Sequence, residues 1–136
     1  GANIHYEDHD RQSPIHGAAK NGYSTMVRQL IAANANPNAE DRITYTPCTM
    51  AAENNHADTL RVLIHAKGDA NVGCGNGWRP VVAAGFSGYV EIVQILVESK
   101  ADLEKRNTAG KTPLMTAGVN RKEKAKVAIV QLMSLL

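Results

Sequence analysis

Five histidines, two cysteines and one glycine-rich loop are the residues of this 136-residue chain whose types suit metal binding, nucleophilic catalysis or phosphate binding. His5 and His9 are four apart, but the intervening Tyr6-Glu7-Asp8 predicts a hairpin turn, where that spacing gives no shared helical face, and no Cys or His pair completes a zinc site. Gly73-Cys74-Gly75-Asn76-Gly77 is followed by Trp78-Arg79 rather than Gly-Lys-Ser/Thr, so its glycines serve a turn and not a phosphate. Catalysis needs a nucleophile, a base and an orienting partner that converge on one pocket. No such set is legible, and the expectation is a chain that is not an enzyme and carries no catalytic residue, metal or cofactor. Cys48 falls at an apolar position and Cys74 in a loop, so they make no disulfide framework, and a reducing intracellular compartment, cytoplasm or nucleus, is expected.

The elements that carry these residues repeat. Ser13-Pro14-Ile15-His16-Gly17-Ala18-Ala19-Lys20-Asn21-Gly22 returns every 33 residues: Pro14 as Pro47, Pro80 and Pro113, and Ala18-Ala19 as Ala51-Ala52, Ala84-Gly85 and Ala117-Gly118. A period of this size marks one supersecondary unit stacked on copies of itself. Ser13, Thr46 and Thr112 stand at N-cap positions with proline at the first helical position, and only Arg79 breaks the capping pattern. Gly22, Gly88 and Asn55 are placed to take the left-handed conformation that ends a helix. A second helix follows with an i, i+3, i+4 apolar stripe: Val27, Leu30, Ile31; Leu60, Leu63, Ile64; Val93, Leu96, Val97. One unit buries too little to offset its chain entropy, so the units must stack.

These residues closely resemble the ankyrin repeat, whose pattern runs Thr-Pro-Leu-His, a small-residue pair, Gly-His, an aliphatic helix, then Gly-Ala-Asp-hydrophobic-Asn. Ser13-Pro14-Ile15-His16 and Thr112-Pro113-Leu114 match the opening; Asn34-Ala35-Asn36-Pro37-Asn38, Lys67-Gly68-Asp69-Ala70-Asn71 and Lys100-Ala101-Asp102-Leu103-Glu104 match the close. Thr49, Val82 and Met115 replace the pattern's histidine, so its side-chain hydrogen bonding is expected to be missing from those three units. The resemblance implies an all-α solenoid scaffold of stacked helix-turn-helix units with projecting β-hairpin loops. In that frame 1–5 is the tail of a preceding repeat, 6–38, 39–71 and 72–104 are three full repeats, and 105–136 is an atypical capping repeat, the chain being a segment of a longer protein. Helices are expected over 14–21, 24–33, 47–54, 57–66, 80–87 and 90–99. In the last repeat Ile129-Val130-Gln131-Leu132 follows Ile92-Val93-Gln94-Ile95 by 37 rather than 33 residues, an insertion of about one charged turn between Gly118 and Ala128.

Composition fits such a stack: 43% of residues are apolar, 21% are charged, and no apolar run approaches a membrane span, so a soluble domain with no membrane partner is expected. Charge is uneven. Residues 105–136 hold seven Lys or Arg against Glu123, and residues 1–104 hold eight basic against twelve acidic.

Repeat geometry places the loops before each proline, and the inner helices after it, along one concave face. Tyr45, Trp78 and Phe86, three of the six aromatics, fall there, flanked by Arg42, Glu53 and Arg79, with Asp10, Gln12, Asn76 and Lys111 on the same face. Tyr45 and Trp78 are one period apart and are expected to be neighbours, with Phe86 beneath Trp78. Aromatic and arginine anchors are what interface hot spots are made of. A monomeric, non-enzymatic module gripping another protein or peptide is therefore expected, with nucleic acid not its main partner. Two alternatives stay open: anion or nucleic-acid binding through Lys105, Arg106, Lys111, Arg121, Lys122, Lys124 and Lys126, which salt would weaken steeply, and a spacer or regulatory array for an enzyme elsewhere in the parent chain. Gly77-Trp78-Arg79-Pro80 also resembles the Gly-Trp-Thr-Pro loop of ankyrin domains that read histone tails. Ala83 and Gly85 stand where a methyl-lysine cage would need a wall and an acid, which leaves unmodified basic tails.

Overall fold

Proline opens each inner helix because its missing N–H is one the first turn does not use and its fixed φ is already helical. The residue before it is forced extended, and Ser13, Thr46 and Arg79 have ψ of 170°, 164° and 165°. The computed structural model describes residues 3–74, 76–113, 115, 116, 127, 130 and 131. Within them run α1 (Pro14–Lys20), α2 (Ser24–Ala32), α3 (Pro47–Glu53), α4 (Ala57–His65), α5 (Pro80–Ser87) and α6 (Val90–Glu98), and residues 113, 115 and 116 are helical again. Five of these helices stop one residue short of the expected end, because that residue is the C-cap. The inserted turn expected between Gly118 and Ala128 lies outside the described residues.

Helices of seven to nine residues do not persist alone in water. Here α1, α3 and α5 pack side by side in one layer and α2, α4 and α6 in a second. The small pairs Ala18-Ala19, Ala51-Ala52 and Ala84-Gly85 are buried where the layers meet, as their size requires. Around them Ile15, Val27, Leu60, Leu63, Val81, Val82, Ile92, Val93 and Leu96 are sealed. Truncating a buried leucine such as Leu60 would cost about 3 kcal/mol. The outer stripes are less uniform than their spacing predicts: Leu30, Ile31 and Ile64 are only half-buried, and Ile31 and Ile64 border grooves between outer helices.

The turns repeat as strictly as the helices. Left-handed φ recurs at Arg11, Thr44, Gly77 and Gly110, at Gly22, Asn55 and Gly88, and at Asn34, Lys67 and Lys100, each series in steps of 33. Only four of these ten are glycine, so the repeated fold imposes the conformation on residues that resist it, Thr44 most of all because it is β-branched. The projecting loops are tight turns, each with two backbone bonds: Asp8 N–H to Gln12 O, Asp41 to Tyr45, Cys74 to Trp78 and Asn107 to Lys111 close them, and Arg11, Thr44, Gly77 and Gly110 N–H donate back to Asp8, Asp41, Cys74 and Asn107 O. No strand forms among the described residues. At the other end Asn38 and Asn71 stitch successive units: Oδ1 of each accepts a backbone N–H, from Asp69 at 2.6 Å and from Asp102 at 2.8 Å. Among the described residues no helix is long and apolar enough to cross a membrane.

Candidate protein-interaction face

The loops are rigid because a side chain fills each. Asp8, Asp41 and Asn107 stand at one position of successive units, and Oδ1 of each accepts two backbone N–H groups of its own turn at 2.8–3.0 Å. Cys74 occupies that position in the third loop and cannot do the same. Its Sγ–H instead donates to Asn76 Oδ1 at 2.8 Å, and that oxygen accepts the Trp78 N–H. Neighbouring loops are also joined, with Arg42 N–H donating to Asp10 O at 2.7 Å and Thr108 N–H to Asn76 O at 3.2 Å.

On this frame Asp10, Arg42 and Asn76 are exposed, and Gln12, Tyr45, Glu53, Trp78 and Lys111 are half-buried. Gln12 Nε2 donates to Asp41 Oδ2 at 3.2 Å, which completes the partners of a carboxylate only 4% exposed. A cavity of about 170 Å³ lies between Gln12, Lys20, Asp41, Tyr45, Met50 and Glu53. Burial pushes the Tyr45 phenol up to about 12, helped by the nearby charge of Glu53. The Glu53 carboxylate, at the end of α3, makes no hydrogen bond or ion pair among the described residues. Phe86 meets Trp78 edge to face with ring centroids 5.6 Å apart and an interplanar angle of 68°, as their positions predict. The Trp78 indole N–H is covered and has no hydrogen-bond partner among the described residues. Exposed apolar side chains continue the face at Ile43, 59% exposed, and Phe86, 39% exposed.

Arg79 is not on this surface, which corrects its placement among the partner-binding residues. It is 1% exposed, its Nη1 donating to Asp102 O at 3.1 Å and its Nη2 to Lys105 O at 2.6 Å. Burial lowers its pKa, and the Asp102 charge opposes that shift. The reason lies in the first unit. There His16 Nε2–H donates to Ala39 O at 2.9 Å while Nδ1 accepts the Ser13 N–H at 3.0 Å, which fixes the tautomer and ties the helix to the next loop. Lys105 stands two periods after Ala39, and Val82 two periods after His16. With no histidine at 82, the arginine three residues earlier reaches the equivalent carbonyl. The hydrogen bonding expected to be lost with that histidine is thus supplied from another position in the third unit. In the second unit Thr49 forms an Oγ1 to Oγ1 bond with Thr46 at 3.2 Å.

The remaining histidines fall as follows. His56 Nε2–H donates to Lys20 O at 3.0 Å, bridging two units, and His65 ends α4 at the surface. Of the basic C-terminal set, Lys105 and Arg106 are exposed and Arg106 Nη1 donates to Gly110 O at 2.8 Å. Arg121, Lys122, Lys124 and Lys126 lie outside the described residues. Met50, at the cavity floor, was missed by the sequence reading. Its position directly before the small pair Ala51-Ala52 was the available signal.

Helix-turn-helix pairs in two layers, carried at constant pitch with loops projecting along one edge, define a repeat solenoid. A family model described as ankyrin repeats (three copies) matches residues 1–73 and again residues 50–133, and the chain belongs to the ankyrin-repeat family. A search of curated proteins returned no match. Ankyrin repeats are in general non-enzymatic modules through which proteins bind one another.

Proposed function

We propose that this chain binds another protein or a peptide along the face formed by its loops and inner helices, as a monomer and without performing a reaction. The observation that carries the reading is the edge-to-face pair of Trp78 and Phe86, with Tyr45 half-buried at the corresponding position of the preceding loop. Three aromatic groups lie on loops and an inner helix held rigid by backbone and side-chain hydrogen bonds, with Ile43 exposed beside them. Preformed anchors lose little freedom on binding, so their contact area converts efficiently into affinity. Beside them, the cavity between Tyr45 and Glu53 has the size of one long side chain and an unpaired carboxylate. An arginine or lysine from the partner fits it, with its charge on Glu53 and its stem on the Tyr45 ring.

The test uses the chain as bait and a double variant, Tyr45→Ala with Trp78→Ala, as control. Far-UV circular dichroism checks that both are equally helical. Captured proteins that the double variant loses carry the reading. Equal capture by a folded double variant removes it.

A further inference from the structure

The first helix pair is not covered as the next two are. In steps of 33, Met26 of α2 corresponds to Thr59 of α4 and Ile92 of α6, and it is 46% exposed where they are 1% and 0% exposed. Leu30 is half-buried where Leu63 and Leu96 are sealed. On the inner helices Pro14 and Gly17 are half-buried, whereas Pro47, Met50, Pro80 and Ala83 are buried. A Cβ added at Gly17 would meet nothing within 4 Å. What covers the later positions is the preceding pair: α3 lies against α1 and α5 against α3, α4 against α2 and α6 against α4, with Thr59 Oγ1 bonded to Ser24 Oγ at 2.8 Å.

We propose that this end of the stack is an interaction surface that seats one more helix pair of the same kind, contributed by polypeptide ahead of Asn3. This goes beyond binding on the loop face and uses none of its residues. Two observations select the occupant. A pair that ends a solenoid turns a polar face outward. Here the outermost pair instead presents Met26 and Leu30 at positions that are sealed interface one and two units later, with exposed Tyr23 beside them and no charge at Pro14 or Gly17. The face therefore continues, at the same pitch, two interfaces already formed, and a further unit buries it by the same contacts. An unrelated partner would have to match both helix layers at once. The second observation is the path of the chain. Asn3 Oδ1 accepts the His5 N–H at 3.0 Å, as Asn36, Asp69 and Asp102 accept those of Asn38, Asn71 and Glu104 at 2.8–2.9 Å after α2, α4 and α6. Ile4 packs on the core from the position that Ala70 and Leu103 hold in later units. Residues 3–6 thus form the turn that leaves an outer helix, and polypeptide entering through it arrives from beside α2.

The experiment places residues 34–66, which carry the pair α3 and α4 that already covers Ile92 and Leu96, directly ahead of Gly1, and compares urea unfolding of the lengthened chain with that of the 136-residue chain. Expected is one cooperative transition with its midpoint raised by about 1 M, and α2 amides that exchange about tenfold more slowly. Met26→Lys, at an exposed site, is expected to leave the 136-residue chain within about 0.3 M of wild type and to cancel most of the gain in the lengthened chain, where the ammonium would be sealed. Sequencing the parent transcript ahead of the Gly1 codon is expected to reveal a proline 33 residues before Pro14 and a small pair 33 before Ala18-Ala19. Two separate transitions, an unchanged midpoint, an equal Met26→Lys effect in both chains, or an upstream sequence without that proline and small pair each overturn the proposal. So does self-association of the 136-residue chain in sedimentation that Met26→Lys abolishes, since a second copy would then be the occupant.

Discussion

Removing Arg79 should loosen the junction between the third helix pair and the residues that follow. Its guanidinium is sealed from solvent and makes two charge-assisted bonds to the carbonyls of Asp102 and Lys105. Each such bond is worth about 1.5–3 kcal/mol when its partner stays dry. Asp102 and Lys105 are exposed residues, so in Arg79→Ala their carbonyls regain some water, and the expected loss is about 3 kcal/mol rather than the sum. With a urea slope of about 2 kcal/mol per molar, that moves the unfolding midpoint down by about 1.5 M. A plain packing defect would give a similar shift, so a second variant separates the two. Arg79→Ser with Val82→His rebuilds the Ser13 and His16 pair of the first unit, whose imidazole reaches the equivalent carbonyl. It should recover most of the lost midpoint, whereas Arg79→Ser alone should not. If Arg79→Ala unfolds at the wild-type urea concentration, or if the double variant is no better than Arg79→Ser, the idea that arginine stands in for histidine fails.

The two thiols should behave oppositely. Cys48 is fully buried, and burial, with the Asp69 charge adding to it, pushes its thiol up to about 12. A disulfide reagent at pH 8 should therefore modify Cys74 alone until denaturant is added. Because the folded value lies above the usual thiol range, the protonated form is the one the fold favours: this contribution is intact below about pH 9 and is lost as pH rises toward 12, which a urea midpoint measured at pH 8 and pH 11 would register. Gly22→Ala should destabilise by about 1–2 kcal/mol, as its φ is +74° and an added Cβ would stand 2.5 Å from the His56 ring. The thermal midpoint reads that loss, and a neutral outcome would mean the ring moves aside freely.

Much of the architecture was legible because three features recur at one spacing: the prolines, the small pairs and the aliphatic stripes. Their chemistry dictates local structure directly, so helix starts at Pro14, Pro47 and Pro80 and the caps at Thr46 and Thr112 follow from residue type. Trp78 over Phe86 was legible for the same reason, since position within the unit fixes which side chains meet. Arg79 was not. A residue before the proline projects outward in the general pattern, and only the unfilled carbonyl of Lys105, 26 residues away, draws this one inward. Nor were the grooves between outer helices, because the spacing of Ile31 and Ile64 marks them as core while the neighbouring helices leave each half covered.

The left-handed turns, three to a unit and always in phase, have a consequence for how such a chain can change length. An extra residue between two of them would deliver the wrong side chain to every conformation that only certain backbones tolerate, and would rotate the following helix off its neighbour. Growth or shrinkage by one whole 33-residue brick leaves every turn where it was. The fold is therefore quantised along its axis, and the length of its row of loops with it.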